Sequence, residues 1–440
     1  MSKNKSFTTS LITLGHIDHG KSTTMGRFLF EVGAVDKRTM DRLEAESKEL
    51  KRASWKWAYV LDSTEEERQG GITSDIAFQP FTLENKSFML IDAPGHRDYV
   101  KNAIQGAVLA DACLVLVSVI PNDLRSGFKM GSGSDPGGQT REHCILGSVL
   151  GINQVIFLIN KMDMVDYSED AYNEAVTTIK SLLAEIQSPW LKKVTPNSFI
   201  PISGLQGENL TKNSDKLPWW KGPSLKSALT LFNPSLVNSE KIGFLTHDSF
   251  EMPGIGTVLY GRMISGELKP EIEVRLMPSS VESEIKEIYD VNSESIPFLN
   301  YGNYGIISLR SIEKDDILPG TVIVGKNDDV IVPKEIELKL LILPNTEKPL
   351  IPGTSVILHV GLSHTSAQIE EIVSIENSKR KRQVGKKIMM AFPGELGIIR
   401  IKPDMSIIID QFQKQPILGR AIIRKEGSTI AVGICTNYSY

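Results

Sequence analysis

The segment Gly15-His-Ile-Asp-His-Gly-Lys-Ser-Thr23 constrains this chain more than any other, because it follows the apolar run Ser10–Leu14 and opens a helix-like stretch at Lys21. Glycine, four residues, glycine, lysine, serine is the spacing of a turn that cradles phosphate between a strand and a helix. The glycines allow a tight backbone whose N–H groups, with the helix N-terminus, surround a phosphate; Lys21 adds a point charge and Ser22 a hydroxyl for Mg²⁺. The phosphate-contact candidates are Gly15, His16, Asp18, His19, Gly20, Lys21, Ser22 and Thr23.

A cradle of this kind needs a sheet behind it, and the sequence supplies one. From Ser10 to about Asn233 strand-like runs (Leu11–Leu14, Ser87–Ile91, Cys113–Val119, Val155–Ile159, Ser198–Ile202) alternate with helical patterns beginning near Lys21, Tyr99, Thr140 and Tyr167. Such alternation predicts a mostly parallel sheet covered by helices, with ligands bound at the loops along one sheet edge. After Asn233-Pro234 the texture changes to short Val/Ile/Leu runs broken by glycine and proline, as in Leu318-Pro-Gly320 and Ile351-Pro-Gly353. Two β-barrels are the economical reading. A chain of 440 residues is too long for one core. The expected organisation is an α/β nucleotide-binding domain over 1–235, a barrel over 240–328 and a second over 333–440, joined near Asn327–Pro333. Gly131–Gly138 reads as a flexible loop.

Two further stretches extend the phosphate site. Asp92-Ala-Pro-Gly95-His96 closes a long strand: the carboxylate can hold a Mg²⁺-bound water, the Gly95 N–H can meet a γ-phosphate, and His96 is placed to orient an attacking water. Thr73, in Gly70-Gly-Ile-Thr73, could close on Mg²⁺ and the γ-phosphate and so order its loop only in the triphosphate state. Lys21, Thr73 and His96 are the catalytic candidates; Ser22, Thr73 and, through water, Asp92 are the metal candidates. The remaining histidines, His143, His247, His359 and His364, show no partner in the sequence, and His16 and His19 are read as shaping or solvating the loop.

The base is read elsewhere. Asn160-Lys-Met-Asp163 directly follows the strand Val155–Ile159, and an aspartate there can accept hydrogen bonds from N1–H and the 2-amino group of guanine, a donor pair that adenine lacks. Asn160 would brace the loop, Lys161 would lie over the ring, and Ser203, Gly204 and Leu205 would offer backbone N–H to O6. This sets an ATP-dependent small-molecule kinase aside and makes GTP and GDP the expected nucleotides.

Composition excludes other classes. A net charge of −4 gives no overall attraction to nucleic acid, so any RNA contact must come from a local patch. Cys113, Cys144 and Cys435 lack metal-ligand spacing and form no disulfide framework, which fits a reducing cytoplasm. The polar start MSKNKSFTTS resembles neither a signal peptide nor a presequence, and no apolar run is long enough to span a membrane.

Taken together, GHIDHGKSTTMGR at 15–27, VDKRT at 35–39, EEERQGGIT at 65–73, DAPGHRDYVKN at 92–102, GQTREH at 138–143, NKMD at 160–163 and SGLQGENL at 203–210 resemble the translational GTPases of the elongation factor 1-alpha superfamily. GIGTVLYGRMISGELKP at 254–270 and LGRAIIRKEGSTIAVG at 418–433 resemble its second and third domains, so the likeness covers essentially the whole chain. It implies a GTP-switched, monomeric factor that carries a cargo to the ribosomal A site and hydrolyses GTP when large-subunit RNA orders the histidine.

Three branches share this architecture and differ in cargo: aminoacyl-tRNA, a stop-codon reader, or a Pelota-like rescue factor. Where tRNA carriers show a Val-Glu-x-x-His-like segment, this chain has Ile288-Tyr-Asp-Val-Asn-Ser293, with neither Glu nor His. PWWKGPSL at 218–225 and VILHVG at 356–361 also look closer to the rescue and release branch, while Gly-Gly-Ile-Thr speaks against release factor. The short stretch before the phosphate loop and GIGTV at 254–258 look like the elongation branch. The expectation is a Pelota-like partner, with aminoacyl-tRNA as the alternative and a poorly hydrolysing GTP-bound scaffold as a second.

Three local features carry expectations of their own. Gly70 and Ser74, where the family commonly has Arg and an apolar residue, predict a loosely held switch I with slow intrinsic hydrolysis. The run Lys379-Arg-Lys-Arg382 with Lys386-Lys387 is a solvated hairpin or an RNA-phosphate contact. Trp55 and Trp57, in a helical pattern ahead of switch I, are expected to pack or to face the ribosome rather than to stack on the base.

Overall fold

The computed structural model describes residues 7–49, 53–61, 77–94, 100–130, 137–186, 188–234, 241–312, 317–318, 320–328, 330, 332–344, 346–376 and 388–439. Thr73, Gly95, His96, the switch I glycines and the basic run 379–387 lie outside these residues, as does the side chain of Trp55. The chain divides into two compact units, Thr8–Pro234 and a barrel unit made of Ser235–Tyr440 together with Met1–Phe7.

The first unit is built on strands β1 (Thr8–Leu14), β2 (Ala77–Leu83), β3 (Lys86–Asp92), β4 (Ala112–Ser118), β5 (Gln154–Asn160) and β6 (Phe199–Pro201). They form one sheet in the order β2-β3-β1-β4-β5-β6. All neighbours run parallel except β2, which hairpins antiparallel onto β3 along the sheet edge. β4 is buried at every position and β1 and β5 at all but their first. That explains why these strands read as unbroken apolar runs: helices cover both faces of a parallel sheet.

The helices are α1 (Lys21–Glu31), α2 (Lys37–Glu49), α3 (Val100–Leu109), α4 (Pro121–Phe128), α5 (Gln139–Val149), α6 (Glu169–Glu185) and α7 (Leu225–Leu229). The sequence reading anticipated α1, α3, α5 and α6. The helical pattern expected around Trp55 and Trp57 is the 3-10 helix Ala53–Val60, whereas the sequence reading missed α2, α4 and α7. It also missed β2, whose Pro80 reads as a strand breaker but is tolerated on an edge. Among the described residues no helix is long and apolar enough to cross a membrane.

The second unit holds two closed barrels. The first comprises β7 (Gly243–Met252), β8 (Gly256–Ser265), β10 (Glu273–Met277), β11 (Val281–Tyr289), β13 (Tyr304–Leu309) and β14 (Val322–Gly325), with the small pair β9 (Glu267–Leu268) and β12 (Leu299–Asn300) beside it. The second comprises β15 (Glu335–Ile342), β16 (Ser355–Val360), β17 (Ser363–Ile375), β18 (Leu396–Pro403), β19 (Arg420–Lys425) and β20 (Ser428–Ser439). β15 shows the period-two logic: Ile336, Leu338, Leu340 and Ile342 are fully buried, while Glu337 and Lys339 between them are only partly so. Between the barrels, the buried Gln415 donates its Nε2–H to the Ile264 carbonyl at 2.8 Å.

Candidate functional site

The C-terminal ends of β1, β3, β5 and β6 bring four separate sequence motifs to one edge of the sheet, where open α/β folds bind ligands. Gly15 sits at φ 141° with its Cα pressed onto β4: an added Cβ would lie 2.5 Å from the Leu116 carbonyl oxygen. Gly20 takes a left-handed φ of 84° at the start of α1, where no side chain caps the helix. A helix start left open in this way, beside a glycine turn, favours an anion.

Lys21 is buried, and its ammonium donates to the carbonyls of Gly15 and His16, both at 3.2 Å. Burial lowers its pKa, opposed by Asp92 and Asp18. Asp92, fully buried at the end of β3, accepts from Thr13 Oγ1 at 2.5 Å and from Ser22 Oγ at 2.9 Å. Ser22 and Asp92 thus share one oxygen-only corner, the donor chemistry that suits Mg²⁺, an ion usually held by one or two protein groups plus substrate phosphates and water.

The turn is held from behind by the first turns of α5. The N–H groups of Gly15, His16 and Ile17 donate to His143 Nδ1 (3.1 Å), Thr140 Oγ1 (3.0 Å) and Gln139 Oε1 (3.4 Å). Burial, reinforced by Lys21, holds the His143 ring down to about 3, so it stays neutral and can accept. These three side chains lie more than 120 positions from the turn they support. GQTREH was visible as a motif, but its target was not.

His19 likewise turns inward. Its ring is fully buried, with Nδ1 at 3.1 Å from the Leu116 carbonyl and Nε2 at 3.3 Å from that of Asp123, and burial lowers its pKa to about 4. The ring shapes the loop from beneath. The expected solvating role is corrected, because a side chain with no exposed surface cannot meet solvent.

Asn160 joins the phosphate and base halves. Its Nδ2 donates to the His19 carbonyl at 2.8 Å and to Thr24 Oγ1 at 3.2 Å, and its Oδ1 accepts from the Gly204 N–H at 2.9 Å. Asp163 accepts from Ser203 Oγ at 2.5 Å. Lys161, at a left-handed φ of 66°, is paired with Asp123 at 2.9 Å, and Asp123 also accepts from Ser118 Oγ. Leu205 is substantially exposed at the tip of its loop. Asp123, Thr140 and His143 were not among the sequence-derived site residues; no local pattern ties them to the motifs they touch.

A glycine turn on a helix start, a buried lysine, a Ser–Asp corner and an Asn-braced Asp163 define a phosphate-loop nucleotide-binding unit. The sequence matches the elongation factor Tu GTP binding domain over residues 7–255 and the GTP-eEF1A C-terminal domain-like family over 335–436. It is 32% identical to elongation factor 1-alpha 1 of Euplotes crassus over 428 residues, covering 97% of this chain and 94% of that one. With elongation factor 1-alpha of Thermofilum pendens the identity is 35% over 430 residues, 97% and 96% of the two chains. The fold also resembles the GTP-bound Ski7 GTPase-like domain of S. cerevisiae, with a TM-score of 0.77 at 17% identity over 98% of this chain and 97% of that one. The chain belongs to the elongation factor Tu GTP-binding family, and it is a translational GTPase.

Proposed function

We propose that this GTPase is a ribosome-directed carrier whose cargo is a protein of the Pelota-like rescue class, delivered to the A site and released when GTP is hydrolysed. In this reading the turn from Gly15 to Gly20, with Lys21 and the start of α1, holds the phosphates. Ser22, Thr73 and, through water, Asp92 hold Mg²⁺, whose role when bound is to offset charge on the β- and γ-phosphates. Gly95 reports the γ-phosphate and His96 orients water. Asp163 selects guanine. Ser203 and Gly204 already spend their N–H groups on the Glu208 carbonyl and Asn160 Oδ1, which supports the Leu205 N–H as the donor to O6.

The observation that supports a protein cargo is in the first barrel. Ile288 and Tyr289, which begin the segment standing where tRNA carriers show Val-Glu-x-x-His, are both buried, and Tyr289 packs with Val258 and Ile306 beside Met252, Ile255 and Tyr260. A rim filled by its own aromatic and aliphatic side chains offers little room for an aminoacyl group. A second reading, delivery of aminoacyl-tRNA, is favoured by the end-to-end likeness to elongation factor 1-alpha.

The two readings separate in one measurement. GTP-loaded protein is offered a Pelota-like factor and aminoacyl-tRNA in parallel, and hydrolysis of the aminoacyl ester is followed. Retention of the protein factor with an unprotected ester is the expected result. Protection of the ester at nanomolar concentration would overturn the rescue reading in favour of the second.

A further inference from the structure

Arg27, on the outer side of α1, is drawn on by no part of the phosphate chemistry, yet it touches Glu31 of its own helix, the loop at Leu205 and the 3-10 helix Ala53–Val60. Its Nη1 donates to the carbonyl of Leu205, at the tip of the loop assigned above to guanine. Its Nε donates to Glu31 Oε1 at 2.8 Å, and Glu31 Oε2 accepts from Thr211 Oγ1 at 3.0 Å on the far side of the same loop. The guanidinium also lies 5.1 Å from the ring centre of Trp57 in the 3-10 helix Ala53–Val60, whose indole packs on Phe30 with ring centroids 5.5 Å apart. Lys56 approaches the same ring at 5.1 Å and bonds Glu44 of α2 at 2.9 Å.

The surrounding backbone is shaped to admit this arrangement. Gly207 has a left-handed φ of 80°, and an added Cβ would lie 2.5 Å from Glu31 Oε1 and 2.6 Å from Arg27 Nε. Gly26 lets the 3-10 helix approach α1 so closely that a Cβ would sit 1.9 Å from the Trp57 carbonyl oxygen. A planar guanidinium suits the position, because it can donate in its plane while stacking on an indole, which an ammonium cannot do.

We propose that Arg27 is a positioning residue for base recognition. By holding the Leu205 carbonyl it fixes the residue whose N–H meets guanine O6, and through Trp57 it ties that loop to the helix that precedes switch I in the chain. The proposal rests on the assignment of the 203–205 loop to guanine.

The test compares binding of GDP with that of 6-thio-GDP, which keeps N1–H and the 2-amino group and replaces only O6 with a weaker acceptor. Wild type should prefer GDP. Arg27→Gln should lose roughly tenfold in GDP affinity, as expected for one charge-assisted hydrogen bond, with most of the GDP preference gone. Arg27→Lys should recover part of it, and Trp57→Leu should shift the preference the same way with an effect that fails to add in the double variant. If Arg27→Gln weakens both nucleotides equally, or lowers the melting temperature with the preference intact, Arg27 is only an ion-paired helix surface residue and the proposal falls. If wild type itself does not discriminate, the guanine assignment of the loop falls, and the proposal with it.

Discussion

The α/β unit gathers its buried polar groups around one edge of its sheet, whereas the barrel unit also carries a charged cluster on its surface. In the first, Thr13, His19, Lys21, Thr24, Asp92, Thr140, His143, Asn160 and Ser203 are all buried and all linked by hydrogen bonds around one edge of the sheet. In the second barrel a charged cluster sits on the surface, where Arg400 bridges Glu337 and Glu371 at 2.8 Å each with its side chain one-third exposed. A buried polar group costs free energy unless every partner is present, so such a network specifies one geometry. Surface ion pairs tolerate rearrangement. The contrast teaches that nucleotide chemistry resides in a network that cannot drift, whereas the charged surface of the barrels is free to vary.

The largest expected effect breaks that network at its centre. Asn160→Ala removes hydrogen bonds to the phosphate loop, to α1 and to the 203–205 loop at once, and GDP affinity should fall by roughly a hundredfold, at about 1 kcal/mol per lost bond. Calorimetric titration with GDP would show it. A loss below tenfold would mean that the loops hold their geometry without Asn160, and the contrast between the units would weaken accordingly.

Acid should separate the units next. Burial holds the rings of His19 and His143 down to about 4 and about 3 in the α/β unit, and that of His247 to about 3 in the first barrel, from an ordinary value of 6.5. Because the folded values are depressed, the unfolded chain binds these protons first. The neutral rings therefore contribute their full stabilisation above about pH 6.5 and lose it as the pH falls toward the folded values, by up to about 1.4 kcal/mol per pH unit for each ring. Among the described residues burial also lowers the pKa of the His16 ring, so the α/β unit, with the larger share of such rings, should unfold at the higher pH. All five tryptophans, at 55, 57, 190, 219 and 220, precede Pro234, so their emission follows that unit alone. Its midpoint should lie above that of the far-ultraviolet signal of the barrels; coincident transitions would contradict the expectation.

The smallest effect is predicted where the barrels look most elaborate. Arg400→Gln breaks pairs to Glu337 and Glu371, and its partners hold the guanidinium pKa above the ordinary range. Exposure discounts that interaction, so chemical denaturation should register less than about 1 kcal/mol, with GDP affinity unchanged. A loss of several kcal/mol would show that the barrel surface carries a network comparable to the buried one.

What was legible depended on whether the physical cause was local. β1, α1 and the turn between them were readable because a glycine turn, a lysine and a serine act within eight residues. β4 and β5 were readable because burial on both faces leaves an unbroken apolar run. β2 was hidden by Pro80, and α2, although VDKRT runs into it, was not read as a helix. In the site, Asp163 and Asn160 were found by their order on successive strands, but Asp123, which takes the Lys161 ammonium, could not be.

The sequence by itself determined that this chain binds a guanine nucleotide on an α/β sheet and continues into two barrels, because those conclusions rest on contiguous motifs and on periodicity. Only the tertiary structure decided what holds the site in shape: His143 behind Gly15, Asn160 between three loops, Arg27 between Leu205 and Trp57. Each joins residues from 30 to nearly 180 positions apart, and such pairings exist only once the sheet has set the strands in order, since hydrogen bonds act over a few ångströms and are indifferent to distance along the chain.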